Sequence, residues 1–238
     1  MKRGSFNKIY KIGKLVLKID TKKDKFSNLI MKEIDSKNYI KYQKDLNSNG
    51  IKTSKIYFYM RFPVNILIEK NIKGNSLQEI LEDEKINLKY KLLLVKKLLL
   101  IYKQIENNKV CIDFNFKNFI LNQNELVYID FVPSLYKSKI EKISNKDLKD
   151  YKELYTNKEI QLTSIMNYLL RALIYLSKEE LIDIKTEISE YIEKNFNTQL
   201  LQQSDNVVIK KMKLLNKYIY ENIDKKEYNE EYKKINKR

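Results

Sequence analysis

Asp113, Asn118 and Asp130 stand five and twelve residues apart, within the stretches Cys111–Leu121 and Leu126–Phe131, where apolar strand patterns flank a polar turn. Phosphoryl transfer calls for such a set. One carboxylate faces an attacking hydroxyl, while an amide oxygen and a second carboxylate hold magnesium against nucleotide phosphates. Asp and Asn also sit at turns for a simpler reason, because they bond to nearby backbone. In a chain this rich in Asn, a lone Asp-x-x-x-x-Asn is expected by chance. The flanking strands and the later Ile129-Asp130-Phe131 lift the trio above that background.

The same chemistry needs a cation on the phosphates, held by something that fixes its rotamer. Lys18 is the charged residue within the apolar strand Leu15–Ile19, and its period-two neighbours are Lys14, Val16 and Asp20. That mixed set leaves open which face is buried. Glu33 is the one Glu in the helical pattern that follows, so Lys18–Glu33 is an expected pair, although Asp20 and Asp24 lie nearer in sequence. Gly4, Ser5 and Phe6 open a turn that places backbone N–H groups and an aromatic side chain where phosphates could lie.

Other chemistries are excluded by composition. The 238 residues contain no His and one Cys, which removes imidazole-based catalysis, an intrachain disulfide and a His/Cys zinc site. Proton transfer falls to carboxylates or lysines. The formal charge of +16 invites an anionic partner, but only Arg3, Arg61, Arg171 and Arg238 among the 47 basic residues are Arg. Surfaces that read phosphates recruit Arg for its bidentate fork. With 4 Gly, 2 Pro and no Trp, the charge reads as the compositional bias of an AT-rich genome, and a nucleic-acid partner is possible but not favoured. The N-terminus has no apolar signal segment, and the run Leu92–Tyr102 is short and broken by two lysines. The expectation is a cytoplasmic protein without a membrane span.

The elements that must position these residues follow in order. Strand pairs are expected at Ile9–Ile12 with Leu15–Ile19, and at Lys55–Met60 with Val64–Glu69, with Arg61-Phe62-Pro63 as a turn. Between them a helical period runs from Lys25 to about Leu46 and ends at Asn47–Gly50. After Gly74 the pattern turns helical: Ser76 and Glu79 form a capping signature, and residues 88–108 a long helix. Beyond the strand pair of the opening motif, helices are expected from Asp147 onward, with a charged, fraying tail over Lys225–Arg238.

This ordered set resembles the protein-kinase-like superfamily, and within it the aminoglycoside and choline phosphotransferase branch. The segment Gly4–Lys11 resembles the second half of a glycine-rich loop, and Val16-Leu17-Lys18 the strand that carries the nucleotide lysine. Met31-Lys32-Glu33 resembles the helix that supplies its partner. Leu67–Gly74 with Ser76-Leu77 is similar to the hinge, Asp113–Asn118 to the catalytic loop, and Asp130-Phe131 to the metal-binding triplet. The likeness covers about residues 4–132. It departs at Cys111, where the family usually has His, at Val132, where a Gly follows the Asp-Phe, and at Asn7 in place of a loop glycine.

The resemblance implies an α+β, bilobal fold: an antiparallel-sheet N-lobe over residues 1–71 that binds nucleotide, and a mainly helical C-lobe over 72–238. It implies ATP and Mg2+ as cofactors. Asp113 would orient or deprotonate the acceptor hydroxyl, Asn118 and Asp130 would hold magnesium, and Lys18, positioned by Glu33, would contact the phosphates. Gly4, Ser5, Phe6, Glu69 and Asn71 would complete the nucleotide site. No Ala-Pro-Glu or activation segment follows Asp130, which favours a small-molecule hydroxyl as acceptor. A protein kinase with a reduced substrate lobe and a non-catalytic, pseudokinase-like binding module are the alternatives.

Overall fold

The computed structural model describes residues 8–20, 39–60, 65–129, 135–203, 205–221 and 223–235. Gly4, Ser5, Phe6, Glu33 and Asp130, and the turn at Arg61-Phe62-Pro63, lie outside them.

Strands β1 (Lys8–Ile12), β2 (Leu15–Asp20), β3 (Ile56–Met60) and β4 (Asn65–Lys70) form one antiparallel sheet in the order β1-β2-β4-β3. Gly13, at φ +56, makes the tight turn between β1 and β2. Pairing of β2 with β4 sets Val16 opposite Glu69 and Lys18 opposite Leu67. Opposed residues share a face, and all four of these are buried. The question that alternation alone left open is thereby answered: Lys18 is on the inner face.

Helix α1 (Tyr39–Ser48) precedes β3 and buries Tyr39, Tyr42 and Leu46. After β4 come α2 (Leu77–Glu82) and α3 (Leu88–Ile105). The Ser76 hydroxyl accepts from the Glu79 N–H, and the Glu79 carboxylate accepts from the Ser76 N–H, the reciprocal cap expected from sequence. A two-stranded hairpin, β5 (Phe119–Asn122) and β6 (Glu125–Tyr128), follows, turned by Gln123 and Asn124 at φ 47 and 66. Both turn residues are left-handed, as a two-residue hairpin of matching twist requires.

The remainder is helical: α4 (Lys137–Ile140), α5 (Lys149–Thr156), α6 (Lys158–Ala172), α7 (Lys178–Phe196), α8 (Val207–Tyr220) and α9 (Lys225–Ile235). The expected α+β organisation, a sheet-bearing N-terminal half and a helical C-terminal half, is therefore present.

One expectation needs amendment. The charged tail is helical over Lys225–Ile235: α9 buries Tyr228 against Tyr218, and the Arg171 guanidinium lies 3.5 Å from the centroid of the Tyr232 ring. The hydrophobic core is also continuous across the chain, running from Tyr39, Ile51 and Leu67 through Leu98 and Phe119 to Leu215 and Tyr228. No helix among the described residues is long and apolar enough to cross a membrane.

The halves are also joined by main-chain bonds. The Tyr128 N–H donates to Lys52 O at 2.8 Å, and the Ser54 N–H to Tyr128 O at 3.1 Å. The connector after β4 lies against β5, where the Leu121 N–H donates to Asn75 O at 2.9 Å. Gly74, at φ +139, passes so close that an added Cβ would stand 2.0 Å from Leu121 O.

Candidate active site

Asp113 and Asn118 bracket a loop that alternates between two environments. Phe114, Phe116 and Phe119 are buried, anchored by Tyr102, Tyr168 and Tyr128 respectively at ring-centroid distances of 5.3, 5.7 and 5.3 Å. These rings fix the backbone so that the polar residues between them face outward. The Asp113 Oδ1 accepts from the Asn115 N–H at 3.0 Å, and Asn115 in turn caps the short 3-10 turn Phe116–Asn118. The Asn118 Nδ2 donates to Asp113 O at 3.4 Å, which leaves its Oδ1 as the atom a cation could use. Tyr128 reaches back across the hairpin, its hydroxyl accepting from the Asp113 N–H at 3.2 Å.

Lys18 arrives from the opposite half. Its Nζ donates to Ile129 O at 2.8 Å and pairs with Glu69 Oε1 at 2.8 Å. The Ile129 N–H donates to Asn118 O at 2.9 Å, so a single residue next to Asp130 ties the lysine to the Asp113–Asn118 loop. The other carboxylate oxygen of Glu69 accepts from Ser54 Oγ at 2.7 Å. Both members of the ion pair are almost wholly buried, a setting in which charges persist only when paired and hydrogen-bonded. The described carboxylate partner of Lys18 is thus Glu69 on β4, while Glu33 lies outside the described residues.

Asn71 has a role that the sequence did not indicate. Its N–H donates to Lys14 O at 2.8 Å and its Nδ2 to Gly13 O at 3.1 Å, which fastens the connector to the β1–β2 turn. Cys111 is a buried packing residue. Its Sγ donates to Tyr155 O at 3.4 Å, its carbonyl accepts from the Tyr42 hydroxyl, and burial pushes the thiol up to about 12.

Beside Asp113 is a small cavity whose polar lining comes from Tyr155, Gln161, Ser164 and Tyr168. Burial, and then the neighbouring Asp113 charge, raise the Tyr155 and Tyr168 hydroxyls above their ordinary range. None of these four residues was singled out from sequence. A signal was available: Gln161, Ser164 and Tyr168 recur at helical spacing on α6 and therefore share one face.

The fit to magnesium can be judged from the donor set. Asn118 offers one amide oxygen, and the carboxylate expected beside it, Asp130, lies outside the described residues. Among the described residues no group of three or more His, Cys, Asp or Glu side chains could hold a metal ion. A single amide oxygen is compatible in type with magnesium, a hard cation that keeps several waters and takes few protein ligands.

No family model matches the chain, and no curated protein matches it. Among solved structures, a MAP kinase from Leishmania major is similar at 12% sequence identity and a TM-score of 0.31, covering 94% of this chain and 80% of that one. A likeness this weak assigns neither a fold nor an activity.

Proposed function

We propose that the chain is an ATP-dependent phosphotransferase of protein-kinase-like fold that moves the γ-phosphate to a hydroxyl of a small molecule. Residues 1–71 form its nucleotide lobe and residues 72–238 the lobe that carries the catalytic loop and acceptor site. The observation that carries the reading is the convergence of Lys18, from the sheet, on Ile129, whose N–H is bonded to Asn118. The Lys18 ammonium and the main chain of Asn118, from distant parts of the chain, meet at the residue preceding Asp130.

In this reading Asp113 accepts the proton of the acceptor hydroxyl as its oxygen bonds to the γ-phosphorus. The bond from that phosphorus to the β–γ bridging oxygen breaks, and ADP leaves with the electron pair. Lys18 contacts the nucleotide phosphates, and Gly4, Ser5 and Phe6 cover them. Glu69 holds the Lys18 rotamer, a task first expected of Glu33. Asn118 and Asp130 would hold magnesium, whose chemistry is neutralisation of charge on the phosphate oxygens. The cavity beside Asp113 receives the acceptor hydroxyl, and its polar lining is uncharged apart from Asp113. That lining suits a neutral acceptor better than a polycation.

Magnesium-dependent ATP binding, measured by titration calorimetry, tests the nucleotide half of this reading. Wild type should bind, and Lys18→Met and Asp130→Ala should bind at least tenfold more weakly. Absence of ATP binding by folded wild type would sink the enzyme. A specific observation favours a second reading, that of a non-catalytic module: Lys18 and the Asn71 N–H are both already bonded within the protein. Folded protein that binds no nucleotide is what that reading expects.

A further inference from the structure

A second cavity lies behind the catalytic loop, on the far side of the wall that bounds the Asp113 cavity. It has room for about three water molecules. Its polar lining includes Lys137 at the start of α4, Lys158 and Gln161 on α6, Glu106 beyond the end of α3, and Thr156 at the end of α5. Tyr155 and Gln161 line both cavities.

The charges and donors around this cavity do not balance. Lys158 is neutralised by Glu106 at 2.8 Å and also donates to Phe196 O at 2.8 Å. Thr156 donates its hydroxyl to Lys152 O at 2.9 Å. Lys137 has no carboxylate within ion-pair distance among the described residues, although Glu141 follows one turn later. Gln161 is 8% exposed, yet its side-chain amide makes no hydrogen bond to any described residue. The amide is not among the polar atoms sealed from solvent without a partner, so it meets water in the cavities it lines and is available to a ligand there. An unspent cation and an unspent amide donor therefore border the same small polar space.

The geometry points to a binding site for a small oxyanion, of the size of a phosphate or carboxylate group, held by Lys137 Nζ and the Gln161 amide. An anion there draws the Gln161 amide toward Lys137 and away from the Asp113 cavity, so occupancy of one cavity bears on the polarity of the other. The site does not depend on the nucleotide reading, since neither Lys18 nor Asp113 takes part.

Cys111, the single cysteine of the chain, lines this cavity and supplies a local reporter. The 13Cβ resonance of cysteine-labelled protein is followed while sodium phosphate, sodium acetate or sodium chloride is added at constant ionic strength. The expected result is a saturable shift with phosphate or acetate and none with chloride. The shift is retained in Lys137→Arg and in Lys18→Met shown to be folded by circular dichroism, and weakened at least tenfold in Lys137→Met and Gln161→Leu. A resonance that does not move, that moves equally with chloride, or that moves equally in Lys137→Met overturns the proposal. A response abolished by Lys18→Met would place the anion at the nucleotide site and overturn it as well.

Discussion

Lys18 and Glu69 form a buried ion pair, Nζ to Oε1 at 2.8 Å, across neighbouring strands of the sheet. The same ammonium group also bonds to Ile129 O, so one side chain links the sheet to the residue that follows the β5–β6 hairpin. The contact is diagonal: Lys18 faces Leu67 and Glu69 faces Val16 in the pairing, and the long side chains close the gap.

Removing one partner strands the other charge in the interior. Glu69→Leu should therefore destabilise the protein by about 3–5 kcal/mol, and Lys18→Met by a similar amount. The double variant should recover much of the loss, because an apolar pair of similar volume carries no desolvation penalty. Urea unfolding of all four proteins provides the test. Strictly additive losses would mean that the two residues do not interact in solution.

Gly74 is committed to its conformation by φ +139 and by the 2.0 Å approach that a Cβ would make to Leu121 O. Backbone lies on both sides of that contact, so no flexible side chain can yield. Gly74→Ala should cost roughly 3 kcal/mol or more, as a clash added to an unfavourable backbone region. A thermal melt checks it: a midpoint within a degree of wild type would mean that the connector does not lie on β5 as described.

Cys111 offers a prediction with a defined sign. Burial holds the thiol near 12 against an ordinary value of 9.0, so the folded state keeps its proton more firmly than the unfolded chain. The associated stability is fully present below pH 9 and is lost as pH rises from there toward 12. Between pH 8 and pH 10, wild type should lose about 1 kcal/mol more than Cys111→Ala in guanidinium unfolding. In native buffer at pH 8 the thiol should also resist Ellman's reagent and react only on unfolding. Prompt reaction of the native protein would contradict its burial.

The Ser76 cap starts α2 where the connector leaves β5, and hydrogen bonds from Ser76 hold the Glu79 carboxyl below its ordinary range. Ser76→Ala should cost about 1 kcal/mol in chemical denaturation. An unchanged midpoint would mean that the helix needs no cap.

Much of this architecture was legible because periodicity and caps are local signals. The β1–β2 and β3–β4 pairs, the capping box at Ser76, the Gly13 turn and the long apolar helix α3 all appear where alternation, helical spacing and turn residues place them. The partner of Lys18 was not legible. Glu33, expected from its position in the next helix, lies outside the described residues, and Glu69 comes within reach through the pairing of β2 with β4, a non-local event that no short window contains. Helix α9 was hidden by its charge: Tyr228 and Tyr232, one turn apart, carry its docking against Tyr218 and Arg171. The polar wall of the Asp113 cavity was missed because Gln161 and Ser164 carry no charge and sit within an otherwise apolar helix.

The central claim is that Asp113, in a loop tied to Lys18 through Asn118 and Ile129, is the base of a phosphoryl-transfer site. Incubation with γ-labelled ATP, magnesium and a pool of hydroxylated metabolites tests it most directly, with Asp113→Ala, shown to be folded by circular dichroism, as the comparison. The account predicts labelled low-molecular-weight product from wild type, and a rate about 10²–10⁴-fold lower from Asp113→Ala. Equal labelling by the two proteins, or none from wild type that binds ATP, would contradict it.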